Sequence, residues 1–127
     1  MTVLDASAVL AFLHREPGAD SVAAVLPGAI IGSVNAAEVL AKLSESGLRS
    51  DRAEAIFDAL ELRVEPLTDS QARRSALFRP LTRRRGHSLG DRACLALAAE
   101  LGVSALTTDR AWTAVAGATG VAIRLAR

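Results

Sequence analysis

Short apolar runs separated by longer amphipathic segments recur along the whole chain. The runs are bounded by glycine, proline and other turn residues, as is typical of strands buried on both faces of a parallel sheet. The candidate strands comprise residues 2–4, 29–32, 62–67, 104–107 and 121–125. In the third of these runs we expect Val64 to face inward.

The segments between these runs carry apolar residues at helical spacing. Gly47 is a candidate helix terminator, residues 68–71 form a capping-box pattern, and Pro80 is expected to bend or break the helix that follows. The predicted helices comprise residues 6–14, 20–26, 35–46, 51–60, 68–85 and 91–101, the last of them apolar on nearly all sides and therefore central. Strands alternating with helices predict one α/β domain over residues 1–127, a three-layer α/β/α sandwich with a central parallel sheet of about five strands.

The composition is that of a protein with its own core in a reducing compartment. Half of the 127 residues are hydrophobic, which is enough to form a core without disulfides. Cys94, the only cysteine, has no partner for an intramolecular disulfide and is expected in the core. Neither a basic leader nor an apolar run of the roughly 18 residues that span a bilayer is visible. We therefore expect a cytoplasmic protein without a membrane partner.

The formal net charge of +1 specifies no partner, but the arginines are clustered. Arg79, Arg83, Arg84 and Arg85 lie in one short stretch. Guanidinium groups suit bidentate contact with phosphate, although a solvated helix face has the same composition. Both interpretations stay open for this stretch.

Four acids lie near the carboxyl ends of predicted strands. Asp5 ends the first strand, and Asp109 lies just past the strand at 104–107. Glu38 lies in the first turn of the helix after the second strand, and Asp91 opens the central helix. Because open parallel sheets bind ligands outside the carboxyl ends of their strands, we expect the four acids to converge on one edge.

Each acid also has a local interpretation. Asp5 could cap the following helix, Asp109 could belong to a turn, and Glu38 and Asp91 could complete capping boxes with Asn35 and Ser88, respectively. The conjunction favours a metal site instead, because four carboxylates at one rim repel one another unless cations neutralise them. Oxygen ligands without His or Cys select Mg²⁺ or Mn²⁺, the ions that serve phosphodiester cleavage.

Four short motifs resemble those of the PIN-domain family, in order and over the whole chain. They comprise residues 3–7 (VLDAS), 33–39 (SVNAAEV), 89–93 (LGDRA) and 106–112 (LTTDRAW). Length and motif style are most similar to VapC-type toxins, the ribonucleases of toxin–antitoxin pairs. Each of the four acids matches the acidic position of one family motif, and the resemblance implies a PIN-like fold.

The resemblance implies an Mg²⁺- or Mn²⁺-dependent endoribonuclease that hydrolyses RNA with metal-activated water. One or two cations would be held by Asp5, Glu38, Asp91 and Asp109, which would be both the metal ligands and the catalytic residues. Hydroxyl and amide groups would orient the carboxylates or water, although local capping of the backbone is an equally open role for them; they are Ser7, Asn35 and Thr107.

The partners implied by the resemblance are RNA, a VapB-type antitoxin and a second copy of the chain in a homodimer. The candidate RNA contacts are Arg83, Arg84, Arg85 and Arg110. For the antitoxin we expect a hydrophobic groove between the helices at 35–46 and 51–60, lined by Val39, Leu43, Phe57 and Leu60. The alternative is that these four side chains are buried in the protein's own core.

Two other functions stay open at this stage. A haloacid-dehalogenase-like phosphatase would use Asp5 as nucleophile, but such sites need a second aspartate where this chain has Ser7, and a lysine, of which Lys42 is the only one. An RNA- or protein-binding module with structural acids would show no metal-dependent cleavage of RNA.

Overall fold

The computed structural model describes residues 1–83 and 86–127. Within these ranges the strands are β1 (Thr2–Leu4), β2 (Ile30–Gly32), β3 (Arg63–Glu65), β4 (Ser104–Thr107) and β5 (Ile123–Leu125). They form one sheet in the order β3-β2-β1-β4-β5, and every neighbouring pair is parallel. The first strand thus lies at the centre of the sheet, and β2 and β4 flank it.

Helices connect successive strands, as parallel pairing requires. They are α1 (Ala6–Leu13), α2 (Ala19–Ala23), α3 (Ser33–Glu45), α4 (Ser50–Asp58), α5 (Asp69–Leu77), α6 (Arg79–Thr82), α7 (Leu89–Leu101) and α8 (Ala116–Thr119), with a 3₁₀ helix at Arg110–Val115. Gly47 follows α3 with a φ of +96°, a conformation that favours glycine, so its predicted role as terminator is confirmed. No helix in the described parts of the chain is long and apolar enough to cross a membrane.

Helices cover both faces of the sheet and divide the core into two clusters. Alternate strand residues point to opposite faces. On one face Leu4 and Ile31 pack with side chains of α1 to α4. On the other, Val3 and Ile30 pack with the 3₁₀ helix and with the central helix α7, whose residues from Ala93 to Ala98 are all buried. The predicted three-layer α/β/α architecture with a parallel sheet is confirmed.

The observed helix boundaries correct two details. Helix α3 begins at Ser33, two residues earlier than expected, so Glu38 lies in its second turn and not its first. The predicted helix 68–85 is broken near Pro80, as expected: α5 ends at Leu77, and Pro80 lies in the first turn of α6. Residues 84–85, its predicted end, lie outside the described residues.

The expected inward orientation of Val64 is wrong. Its side chain is 45% exposed, although its strand β3 pairs in parallel with β2. The physical reason is position, because β3 is an edge strand of the sheet and has a neighbouring strand on one side only. Leu60 and Leu62, just before β3, pack against the core instead.

Candidate metal centre

A cavity of about 340 Å³ lies at the carboxyl ends of β1 and β4 and is also lined by residues of α1, α3 and α7. The four predicted acids all line it, together with seven other residues: Ala6, Ser7, Leu10, Asn35, Ala41, Lys42 and Glu45. A larger cleft of about 960 Å³ lies between the α1–α2 loop and the last two residues and contains none of the four acids. The smaller cavity is therefore the chemically distinctive one.

Asp5 is buried at the floor of the cavity and held by four hydrogen bonds. The Ser7 hydroxyl lies 2.8 and 2.9 Å from the two carboxylate oxygens, and the Thr107 hydroxyl donates to Oδ2 at 2.6 Å. The backbone N–H of Ala8 donates to Oδ1 at 2.9 Å, so Asp5 also caps α1. The N-cap interpretation of Asp5 is thus confirmed. Ser7 and Thr107, the two hydroxyls predicted to orient carboxylates, both contact this one.

Asn35 joins the elements that carry three of the acids. Its side chain is 2% exposed; Oδ1 accepts from the N–H of Ala6 at 3.0 Å, and Nδ2 donates to the carbonyl of Gly90 at 3.1 Å. Ala6 follows Asp5 and Gly90 precedes Asp91, so one amide ties α1 to α7. The predicted capping box between Asn35 and Glu38 is wrong, because α3 begins at Ser33 with Gly32 as its N-cap residue.

Asp91 forms a capping box with Ser88 at the start of α7. The Ser88 N–H donates to Asp91 Oδ2 at 3.1 Å, and the Asp91 N–H donates to the Ser88 hydroxyl at 3.2 Å. The buried ring of His87 places Nδ1 3.7 Å from the same Oδ2 and packs edge-on against Trp112, with centroids 5.8 Å apart. Asp91 therefore has the predicted local role and faces the cavity as well.

Asp109 is exposed and caps the 3₁₀ helix that follows β4. Its carboxylate accepts from the N–H of Ala111 at 2.9 Å, and its own N–H donates to the Thr107 hydroxyl at 3.1 Å. The same hydroxyl donates to Asp5. Thr107 therefore connects the acid that follows β1 with the acid that follows β4.

Burial and mutual repulsion raise the proton affinity of three carboxylates. Burial raises the pKa of Asp5 to about 6, although hydrogen bonds from Thr107, Ala8 and Ser7 act in the opposite direction. Partial burial, followed by the charges of Asp91 and Asp5, raises the pKa of Glu38. Burial also raises the pKa of Asp91, and the charge of Asp109 adds to it. The site thus disfavours its own negative charge, as a cation-binding cluster does before the cation arrives.

The donor set fits a hard divalent cation. The four predicted carboxylates, the carboxylate of Glu45 and the Asn35 amide line the cavity, and its lining among the described residues includes no His or Cys. In residues 1–83 and 86–127, however, no three acidic, His or Cys side chains are arranged to hold one ion as they stand. The carboxylates of Asp5, Asp91 and Asp109 accept hydrogen bonds from their own neighbours.

The residues predicted to bind an antitoxin do not form an exposed groove, so that expectation is wrong in this structure. Val39, Leu43 and Phe57 are 0%, 4% and 8% exposed, and Leu60 is half-buried. All four belong to or pack against the core under α3 and α4. The apolar stripes of this helical hairpin face the protein's own sheet, as the alternative interpretation held.

The candidate RNA contacts are only partly described. Arg83, after α6, and Arg110, directly after Asp109, are exposed. Arg84 and Arg85 lie outside the described residues. Cys94 is buried in α7 as expected, and burial raises the pKa of its thiol well above the usual range, as do the charges of Asp5, Asp91 and Glu38.

Sequence reasoning missed several residues that line the cavity. Lys42 and Glu45 lie four and seven residues after Glu38 on α3, and helical spacing could have placed them on the same face. Their side chains are 3.6 Å apart and largely exposed. Leu10 of α1 has the equivalent spacing from Ala6. Gly90 does not line the cavity, and its only signal in the sequence is its place before Asp91 in the motif at 89–93.

Comparison with known proteins agrees with this geometry. A family model described as PIN domain matches residues 2–118. The fold is similar to that of DNA-bound VapBC from Salmonella typhimurium, with a TM-score of 0.76 and 16% identity over 99% of this chain and 98% of that one. It is also similar to VapC20 from Mycobacterium tuberculosis, described as a sarcin-ricin loop cleaving toxin (TM-score 0.73, 20% identity, 90% and 94% covered). FitAcB from Neisseria gonorrhoeae is a third such structure (TM-score 0.66, 21% identity, 97% and 96% covered). No curated protein sequence matches the chain.

Proposed function

The chain belongs to the PIN-domain family, and from this premise we propose that it is a metal-dependent endoribonuclease that acts as the toxin of a toxin–antitoxin pair. Residues 1–127 would form a single nuclease domain that works in the cytoplasm. The observation that carries the proposal is the gathering of Asp5, Glu38, Asp91 and Asp109 around one cavity at the carboxyl edge of the sheet.

The proposed ligands of one or two Mg²⁺ or Mn²⁺ ions are these four carboxylates. A divalent cation bound there would supply charge neutralisation at the scissile phosphate and a lowered pKa for a water molecule. Ser7 and Thr107 would hold the Asp5 carboxylate in one orientation through the hydrogen bonds they already donate to it. Glu38, whose carboxylate accepts no hydrogen bond among the described residues, is the acid that can turn toward an incoming cation most freely, whereas Asp109 accepts from the N–H of Ala111.

The raised proton affinity of the acids fits this role. A buried carboxylate such as Asp5, with a pKa near 6, is destabilised when ionised and has no cationic partner in the part of the chain that the structure describes. A cation that enters the cavity would relieve repulsion among Asp5, Glu38 and Asp91 simultaneously. The electrostatic repulsion among these three carboxylates would therefore favour cation binding.

The structural relatives support the biological part of the proposal. The protein from Mycobacterium tuberculosis is described as cleaving the sarcin-ricin loop, and the protein from Salmonella typhimurium is described as a VapBC complex bound to DNA. By analogy, this chain would cut RNA and associate with a VapB-type antitoxin. A homodimer, which the resemblance to the family implies, is part of the same proposal. Arg83 and Arg110 are exposed and available to contact RNA phosphates.

The structure offers little to a haloacid-dehalogenase-like phosphatase. Such a site needs an acid two residues after Asp5, and Ser7 lies there and donates to both Asp5 oxygens. Lys42, the lysine it would need, lines the same cavity, but its Nζ lies 3.6 Å from the Glu45 carboxylate and its side chain is largely exposed. The remaining alternative is a binding module with structural acids. An assay of RNA cleavage distinguishes it from the nuclease.

The test is cleavage of RNA by the purified protein with Mg²⁺ or Mn²⁺ and with a chelator. Wild type should cut RNA only with the cation, Asp5→Asn should be inactive, and Asp58→Asn, an exposed acid on α4, should cut like wild type. Total cellular RNA with sequencing of the cut ends would identify the target. Cleavage that persists in chelator, or in Asp5→Asn at the wild-type rate, would contradict the proposal.

A further inference from the structure

Gly90 is the second residue of α7, and it is buried where α7 crosses the first half of α3. A Cβ atom built on Gly90 would lie 2.8 Å from Cδ of Glu38 and closer still to its Oε1. Real Cβ atoms do not approach other atoms so closely. The Glu38 carboxylate therefore occupies the space that any side chain at position 90 would need.

The Asn35 amide fixes this close approach. Its Nδ2 donates to the carbonyl of Gly90, while its Oδ1 accepts from the N–H of Ala6. Asn35 precedes Glu38 by three residues on α3, so both side chains project from neighbouring turns of one helix face. Asn35 is buried and both of its hydrogen bonds are to backbone atoms. These bonds fix the distance between α3 and the first turn of α7 at a point close to Glu38.

We propose that Gly90, held against α3 by Asn35, is a positioning residue for Glu38. The absence of a side chain at position 90 keeps the Glu38 carboxylate over the first turn of α7, within reach of Asp91 and Asp5. The expected effect of Gly90 on cation binding rests on the proposed metal site, whereas its effect on the position of the Glu38 carboxylate does not.

A side chain at position 90 should displace the Glu38 carboxylate without destabilising the fold. Glu38 is a long side chain with an exposed end, so it can rotate away from a new methyl group at little energetic cost. Alanine is also the better helix former, and the Gly90 backbone carbonyl that Asn35 uses is kept. Gly90→Ala should therefore fold at least as well as wild type, with a melting temperature unchanged or raised by up to about 3 °C, while its Glu38 carboxylate is displaced.

Displacement of the Glu38 carboxylate should weaken cation binding. We expect Gly90→Ala to weaken the midpoint of an Mn²⁺ titration by about 10- to 100-fold, the usual effect of losing a group that positions a metal ligand. Gly117→Ala is the matched control, because Gly117 lies in α8 with a negative φ and no atom within 4 Å of its built Cβ. That variant should titrate like wild type.

A double-mutant cycle tests whether the effect passes through Glu38. In a Glu38→Ala background, Gly90→Ala should change the Mn²⁺ midpoint by less than about twofold, because no carboxylate remains to displace. The same 10- to 100-fold loss in both backgrounds would overturn the proposal, since Gly90 would then act by another route.

A crystal structure of Gly90→Ala in chelator separates this inference from the proposed function. Displacement of the Glu38 carboxylate from its wild-type position would support the positioning role even if wild type bound no Mn²⁺, in which case only the metal site would fail. A Glu38 carboxylate in its wild-type position would overturn the positioning role whatever the titration showed.

Discussion

The ionisation of Asp5 should make the metal-free protein less stable as pH rises. Asp5 is 3% exposed and its pKa is about 6, against 3.8 for an ordinary aspartate. Because the folded state holds this proton more tightly than the unfolded chain, the unfolded chain loses it first. The free energy of unfolding should therefore fall between about pH 4 and pH 6 and level off above.

The size of this effect follows from the pKa difference. A value of about 6 against 3.8 corresponds to about 3 kcal/mol, since a tenfold change in proton affinity is worth about 1.4 kcal/mol. Asp5→Asn removes the ionisation and keeps the shape. Its Oδ1 can accept from the Ala8 N–H as the carboxylate does, and its Nδ2 can donate to the Ser7 or Thr107 hydroxyl.

The assay is thermal unfolding of wild type and Asp5→Asn in chelator at pH 4 and pH 8. At pH 4 the two should melt together, and at pH 8 the variant should melt higher by up to roughly 10 °C for a domain of this size. Saturating Mg²⁺ should reduce the difference at pH 8 by stabilising wild type alone. A difference between variant and wild type that is the same at pH 4 and pH 8 would refute the reasoning.

Four other predictions follow from burial and capping. Phe57→Ala should cost about 3–5 kcal/mol in urea denaturation because Phe57 is a core residue, whereas Val64→Thr at the exposed edge strand should change stability by less than about 0.5 kcal/mol. Ser88→Ala should lower the melting temperature by a few degrees, because loss of the cap of α7 costs about 1 kcal/mol. The buried Cys94 should react with a thiol reagent only after unfolding, measured as colour release with and without denaturant. Equal midpoints for Phe57→Ala and wild type, no loss in Ser88→Ala, or rapid reaction of the native thiol would each contradict the structure at that residue.

Much of the fold could be predicted because parallel strands are buried on both faces. The apolar runs at β1 and β4 are therefore continuous and conspicuous in the sequence, and their bounds match the prediction. The burial of β3 could not be predicted, because an inward Val64 assumes cover by helices, and that depends on where the strand lies in the sheet. Which side of the α3–α4 hairpin faces the core was likewise open, since an apolar stripe has the same spacing whether it contacts its own sheet or a partner.

The gathering of the acids could be anticipated from topology, but their contacts could not. Asp5 and Asp109 follow adjacent parallel strands, and the carboxyl ends of such strands meet at one edge. The surroundings of Glu38 could not be predicted, because α3 begins two residues early, which rules out the alternative capping box with Asn35, and the Glu38 carboxylate lies beside Gly90. Glycine offers no side chain from which such a role could be inferred.

The central claim is that four carboxylates at this sheet edge bind divalent cations, and an Mn²⁺ titration monitored by electron paramagnetic resonance tests it most directly. The comparison is between wild type and Asp109→Asn, because Asp109 is exposed and asparagine caps the 3₁₀ helix equally well, so the variant should fold normally. We predict one or two bound Mn²⁺ per wild-type chain and at least tenfold weaker binding by the variant. Wild type that leaves Mn²⁺ free at millimolar concentration, or Asp109→Asn that binds it equally well, would contradict the account.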